Sequence, residues 1–154
     1  MSRGCIAYTD TGEFCGAPWR REDHMKTVTA AILIRNRRIL IAKRRFGDRL
    51  AEKWEFPGGK IEHGETPEQC LGREMQEEFQ IEVSIGKFLG ESIYHYDHGS
   101  IRLMAYRTYW EKGELIPKAH EEYQWVSQDQ LKDYDFAPAD IPFVEMLRRG
   151  EIEL

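Results

Sequence analysis

No run of apolar residues approaches the roughly 20 needed to cross a bilayer. The first residues, Met1 to Asp10, hold no apolar stretch of the kind that directs secretion. Cysteine is scarce: Cys5, Cys15 and Cys70 make an odd count at wide spacing, which excludes a disulfide scaffold. Positive charge is not in excess either. The 22 Lys and Arg stand against 27 Asp and Glu, for a formal charge of -5. A protein that coats nucleic acid needs the opposite balance, so no stable nucleic-acid complex is expected. The local patch Lys43, Arg44, Arg45 is the exception. No internal repeat or low-complexity segment is seen. These absences point to a cytoplasmic protein without membrane association.

What is present is an ordinary globular composition. The 154 residues, 41% of them hydrophobic, suffice for one domain with a real core. Residues 1–26 stand apart as an irregular N-terminal arm with two cysteines and little periodicity. Cys5, Cys15 and His24 are zinc-ligand types at wide spacing, and the competing reading is an unligated arm packed on the domain or on a dimer partner. From residue 27 to residue 154 the pattern is that of a folded domain. Thr27 to Ile34 is a β-branched, buried strand, and Ile39 to Ala42 a second one across a polar turn. Trp54 to Phe56 is short and apolar, and Pro57-Gly58-Gly59 breaks the chain. Two longer strands are expected over Ile81 to Tyr96, bent at Gly86 and Gly90, and over Ser100 to Trp110. Tyr123 to Val126 is a further strand, Gln128 to Asp133 a brief helix, and Asp140 to Arg149 an amphipathic one. Mixed in this order, these elements predict an α/β fold with a sheet between helices.

The segment Thr66 to Gln80 carries the chemistry. Thr66 can cap a helix, Pro67 suits its first position, and Gln69 completes a capping box. At about 100° per residue, Leu71, Met75 and Phe79 share a core-facing arc, and Glu74, Glu77 and Glu78 fall on an adjacent one. A solvated acidic face is the plainer interpretation. Against it, like charges at these spacings repel by roughly 0.2–0.5 kcal/mol per pair, and the C-terminal end of a helix dipole disfavours anions. A bound cation reverses both penalties, and Mg²⁺ takes a few carboxylates while keeping positions for water and phosphate oxygens. Gly58, Gly59 and Gly64 let backbone approach a ligand closely. Arg73 pairs with Glu65 to brace the loop. Cys70, a turn before Glu74, is a small helix residue rather than a nucleophile.

Gly59-Lys-Ile-Glu-His-Gly-Glu65 followed by Arg73-Glu74-Met75-Gln76-Glu77-Glu78-Phe79-Gln80-Ile81 resembles the Nudix box over 23 residues. One position departs: the family's last glycine is Gln80 here, at the helix end, where a left-handed residue costs Gln of order 1 kcal/mol. The stretch Trp54 to Glu62, the pair Arg44-Arg45 and the tail Phe136-Ala-Pro-Ala-Asp-Ile-Pro142 are similar to MutT-like nucleoside triphosphate pyrophosphohydrolases, the tail leaning toward their cytidine-triphosphate branch.

The resemblance implies a Nudix-type α/β/α sandwich with a mixed sheet. It implies Mg²⁺, with Mn²⁺ as a substitute, held by Glu74, Glu77, Glu78 and the Gly58 carbonyl, Glu74 also serving the attacking water. A further glutamate from a later loop is Glu121, with Glu122 its rival. Arg44, Arg45, Phe56, Gly59, Lys60 and Asp140 would contact substrate, Asp140 reading a cytosine or oxidised guanine base. Capping of the last helix is the alternative role for Asp140. Tyr94, His95, Tyr96 and His98 would either stack on the nucleotide or pack across strands. The implied reaction is Mg²⁺-dependent hydrolysis of a (deoxy)nucleoside triphosphate to monophosphate and pyrophosphate. A sugar nucleotide, a dinucleoside polyphosphate or an RNA 5′ end as substrate, and a non-catalytic nucleotide-binding module, stay as alternatives. A homodimer is left open.

Overall fold

The structure, a computed structural model, describes residues 25–97 and 99–154. Cys5, Cys15, His24 and His98 lie outside the described residues, as does the expected arm up to residue 24. Strand β1 (Met25–Arg35) opens the described chain, ahead of the expected Thr27. Its residues 29 to 34 are all buried, as expected of a strand covered on both faces. The hairpin to β2 (Arg38–Arg44) turns on Asn36 and Arg37, both at positive φ, 52° and 62°. That is the type I′ geometry whose twist matches the flanking strands.

Only two residue pairs join β1 to β2, Ile34 to Ile39 and Arg35 to Arg38. The strands then diverge, and the segment 54–61 fills the gap. Its first part, β3 (Trp54–Glu55), pairs with β2 through Ala42 and Lys43. Its continuation changes partner: Ala31 N donates to the Pro57 carbonyl at 2.7 Å, Thr29 N to the Gly59 carbonyl at 2.8 Å, and Ile61 N to the Thr27 carbonyl at 3.0 Å. The Pro-Gly-Gly stretch read as a break is thus a strand-like segment docked on β1. Gly58 is required there by contact, because a Cβ would collide with the Thr29 carbonyl.

Helix α1 (Pro67–Phe79) follows with the expected capping box: Gln69 N donates to Thr66 Oγ1 at 3.1 Å, and Thr66 N to Gln69 Oε1 at 2.9 Å. Strands β4 (Glu82–Tyr96) and β5 (Gly99–Lys112) form a long antiparallel hairpin. Its register shifts between Ile85 and Phe88 and between Phe88 and Gly90, where the glycines Gly86 and Gly90 interrupt β4. β5 runs parallel to β1, which makes the sheet mixed. β6 (His120–Val126) returns to pair with the free edge of β2. Short 3₁₀ turns at Asp129–Asp133 and Pro138–Asp140 lead into helix α2 (Ile141–Arg148).

Alternation along β1 builds the two layers. Ala30, Ile32 and Ile34 pack with Phe143, Val144 and Leu147 of α2. Ala31 and Leu33 pack with Leu71, Met75 and Phe79 of α1. Each larger aliphatic or aromatic side chain among them, removed from water, stabilises by about 1.5–3 kcal/mol, and the two layers hold α2 and α1 against the sheet. Among the described residues, no helix is long and apolar enough to cross a membrane.

α1 ends at Gln80, whose φ of 60° and ψ of 29° are left-handed, with its N–H bonded to the Gln76 carbonyl at 3.0 Å. Glycine adopts this conformation without the Cβ penalty. Gln80→Gly is therefore expected to raise unfolding stability by about 0.5–1 kcal/mol. Urea titration checks this: the midpoint should rise at constant m value, and a lower midpoint would show that the left-handed cap is not strained.

Candidate active site

Segment 54–61, docked on β1, lines a cleft of about 460 Å³ together with β1, β5, the Pro138–Asp140 turn, His120 of β6 and Glu78 of α1, a size suited to a small ligand. Paired residues of neighbouring strands point to the same face. Glu55 opposes Ala42, whose side chain belongs to the layer under α1, so Glu55 faces α1 as well. Its Oε1 accepts from Arg44 at 2.9 Å, and its Oε2 lies 2.8 Å from His120 Nε2.

His120 reaches that position through an irregularity. Lys43 pairs with Glu122, but Arg44 pairs with His120, which leaves Glu121 as the extra residue of a β-bulge. In an unbulged ladder Glu121 would oppose Arg44 and share the face of Glu55. Instead His120 does, buried and stacked on Phe79 of α1 with ring centroids 5.4 Å apart.

α1 supplies the carboxylates. Glu74 lies directly against Gly59, so closely that a Cβ at residue 59 would overlap its carboxylate. Glu78 lines the cleft. Its Oε2 is buried without a hydrogen-bond partner and faces His120 Nδ1, equally unpartnered, at 4.0 Å. Burial, with the nearby carboxylates of Glu74 and Glu55, pushes the Glu78 carboxyl up to about 8. Arg73 organises the rest of the box. It forks onto Glu65 with bonds of 2.6 and 3.0 Å, and also reaches Glu74 at 2.8 Å, Glu77 at 3.1 Å and the Lys60 carbonyl at 3.1 Å. Bonded to Arg73, the Glu65 carboxyl is held down at about 2.

Elsewhere in the cleft, Asp140 accepts a bond from Phe56 N at 3.0 Å. Burial, reinforced by Glu55, holds its carboxyl well above the usual range. The backbone explains its place: Trp54 N donates to Asp135 O and Ala137 N to Trp54 O, so the tail runs alongside β3. The Asp140 side chain makes no capping bond to α2.

The family model described as NUDIX domain matches residues 25–147. The chain is 36% identical over 121 residues to the CTP pyrophosphohydrolase of Escherichia coli (strain K12), covering 79% of this chain and 90% of that one. It is 37% identical over 128 residues to the 8-oxo-dGTP diphosphatase of the same strain, covering 81% and 99%. The solution structure of the E. coli ORF135 protein superposes with a TM-score of 0.71 at 34% identity, covering 82% of this chain and 91% of that one. The chain belongs to the NUDIX family.

Of the residues expected at this Nudix site, Arg44, Phe56, Gly58, Gly59, Lys60, Glu78 and Asp140 line the cleft. Glu74 abuts it behind Gly59. Glu77 is turned outward to Arg73, its side chain 60% exposed. Arg45 is exposed and donates to the Lys118 carbonyl instead. Glu121 and Glu122 are not brought to the cleft. The bulge sets them outside it, against Lys43 at 4.0 and 3.7 Å. Tyr96 lines the cleft, and its hydroxyl accepts from Ala139 N at 3.2 Å, whereas Tyr94 packs on it with the rings tilted by 52° and His95 bonds Ser100. Two residues were not anticipated, Glu55 and His120. A charged residue between Trp54 and Phe56 was a usable clue to the first, but nothing local marks the second.

Among the described residues, no three His, Cys, Asp or Glu side chains form a closed metal-holding group. An open pair is what Mg²⁺ uses, through one or two carboxylates with phosphates and water completing its shell. Glu74 and Glu78 fit this: both are oxygen donors, and Glu78 has a buried oxygen without a partner. Nudix enzymes are hydrolases that generally work with a divalent metal ion.

The raised Glu78 carboxyl has a pH consequence. Between about 4.5, its unfolded value, and about 8, the folded protein holds a proton that the unfolded chain has lost, so metal-free stability falls as pH rises through this window. Glu78→Gln removes that slope. In EDTA the variant should melt above the wild type beyond pH 8, and the gap should close toward pH 4.5. A constant difference in melting temperature across the range would refute the desolvation of Glu78.

Proposed function

We propose that this Nudix hydrolase cleaves nucleoside triphosphates to the monophosphate and pyrophosphate with Mg²⁺, acting on cytosine or oxidised guanine nucleotides in the cytoplasm. The observation that carries the reading is one cleft with two kinds of wall: the buried, unpartnered carboxylate of Glu78 beside Glu74, and the buried carboxyl of Asp140. The first suits a triphosphate and its cation, the second a base edge.

Glu74 and Glu78 would hold the ion, with the Gly58 carbonyl nearby; β1 takes the carbonyls of Pro57 and Gly59 on either side of it. When bound, such an ion shields phosphate charge, lowers the pKa of water and steadies the leaving pyrophosphate. The chain's own groups do the rest. Arg44 and Lys60 bring positive charge to the phosphates from opposite strands. Arg73 holds Glu74 and Glu65 so that the loop cannot drift from the helix. Burial raises the Asp140 carboxyl and so favours its protonated form; protonated, it would donate to a base acceptor, and ionised, it would accept from an exocyclic amine. Names of relatives divide along the same line, one a CTP pyrophosphohydrolase and another an 8-oxo-dGTP diphosphatase.

Pyrophosphate release with Mg²⁺ across normal, oxidised and methylated nucleoside triphosphates tests the proposal. Glu78→Gln should lower kcat on the order of 10²–10³-fold. Asp140→Ala should lower kcat/KM for the preferred base about 10–100-fold. Absence of turnover on every triphosphate would overturn the assignment and favour sugar nucleotides, capped RNA or a binding module.

A further inference from the structure

Glu78 and His120 present two buried polar atoms to one another with nothing bonded to either. The Glu78 Oε2 to His120 Nδ1 separation is 4.0 Å. It is too long for a direct hydrogen bond but short enough for the two groups to act on one another electrostatically. The imidazole is not free to turn. Phe79 stacks on its face with an interplanar angle of 18°, and the Glu55 carboxylate takes its Nε2 hydrogen at 2.8 Å. Glu55 is in turn fixed by Arg44 at 2.9 Å, and Arg44 by the Arg49 carbonyl at 2.8 Å. Since a carboxylate only accepts, Glu55 directs a ring hydrogen to Nε2, and Nδ1 is the nitrogen aimed at Glu78. Three elements, β2, β3 and β6, converge to hold one nitrogen opposite one oxygen. The β-bulge at Glu121 exposes this arrangement by re-aiming His120.

We propose that His120, oriented by Glu55, is a positioning residue for Glu78: its Nδ1, held 4.0 Å from Glu78 Oε2, fixes the rotamer in which Glu78 meets the cation. This inference rests on the hydrolase reading for its consequence in turnover, but not for its consequence in metal binding. The arrangement works as outer partners do around ligating groups, whose removal costs metal affinity or activity about 10–100-fold.

Four variants and two measurements test it. Mn²⁺ is titrated into the full chain by calorimetry without nucleotide, and kcat and KM are measured with Mg²⁺. His120→Phe keeps the stack on Phe79 and loses both nitrogens. It should weaken Mn²⁺ binding and lower kcat about 10–100-fold each, with KM little changed. His120→Asn keeps a polar atom near the place of Nδ1 and should recover part of both losses. His120→Gln keeps one near Nε2 and should not. Glu55→Gln should resemble His120→Phe in direction. Wild-type Mn²⁺ affinity and kcat in His120→Phe would overturn the proposal, as would rescue by Gln equal to that by Asn. Should His120→Phe fail to fold, the Asn and Gln pair still decides. If the wild type binds Mn²⁺ but turns over no triphosphate, the function reading falls, and the Mn²⁺ titrations alone judge His120.

Discussion

Everything at the site depends on three backbone hydrogen bonds between β1 and the segment that runs past it. Thr29, Ala31 and Thr27 tie that segment down over five residues, and so hold Gly58 and Gly59 against the sheet. The bonds are possible because β1 and β2 separate after two pairs and leave β1 with an unused edge. No side chain larger than hydrogen could accompany them at Gly58, where the Thr29 carbonyl occupies the space. Glu74 then approaches Gly59 from the helix side under the same constraint. The glycines therefore serve contact distance more than chain flexibility.

Around this frame the charges are divided between satisfied and unsatisfied groups. Glu65, Glu74 and Glu77 share one guanidinium, Arg73. Glu55 shares Arg44 and His120. Glu78 has no comparable cation, and its burial is correspondingly costly in the metal-free protein. A protein optimised for stability alone would not retain it. A cation bound as proposed would offset the burial of this carboxylate beside two others.

The fold was largely readable from residues. The Thr66 to Gln69 capping box, the two-sided burial of residues 29 to 34 and the interrupted β4 follow from local chemistry, and they appear where the sequence pointed. The left-handed end of α1 at Gln80 was expected from the resemblance, whose glycine stands at that position. The site was readable where helical spacing determined it: Glu74 and Glu78 come with the helix. It was not readable on β6. Whether Glu121 or His120 faces α1 depends on a bulge, a property of how two distant strands pair, and no local pattern announces it. Arg45 lies one residue past the end of β2, where the strand no longer fixes its direction, and its side chain goes to the Lys118 carbonyl. Asp140 was taken as either base reader or helix cap; the structure gives its oxygen to Phe56 instead of to α2.

The bulge also bears on how such chains should be compared. A residue-by-residue alignment through β6 that ignores the extra position will match the wrong neighbours, setting an outward glutamate opposite an inward group. Insertion or loss of a single codon there exchanges the side chain presented to the cleft while leaving both flanking strands intact. Diversification at that wall can therefore proceed by length change as readily as by substitution, and homologues with similar composition can differ in what they aim at the substrate.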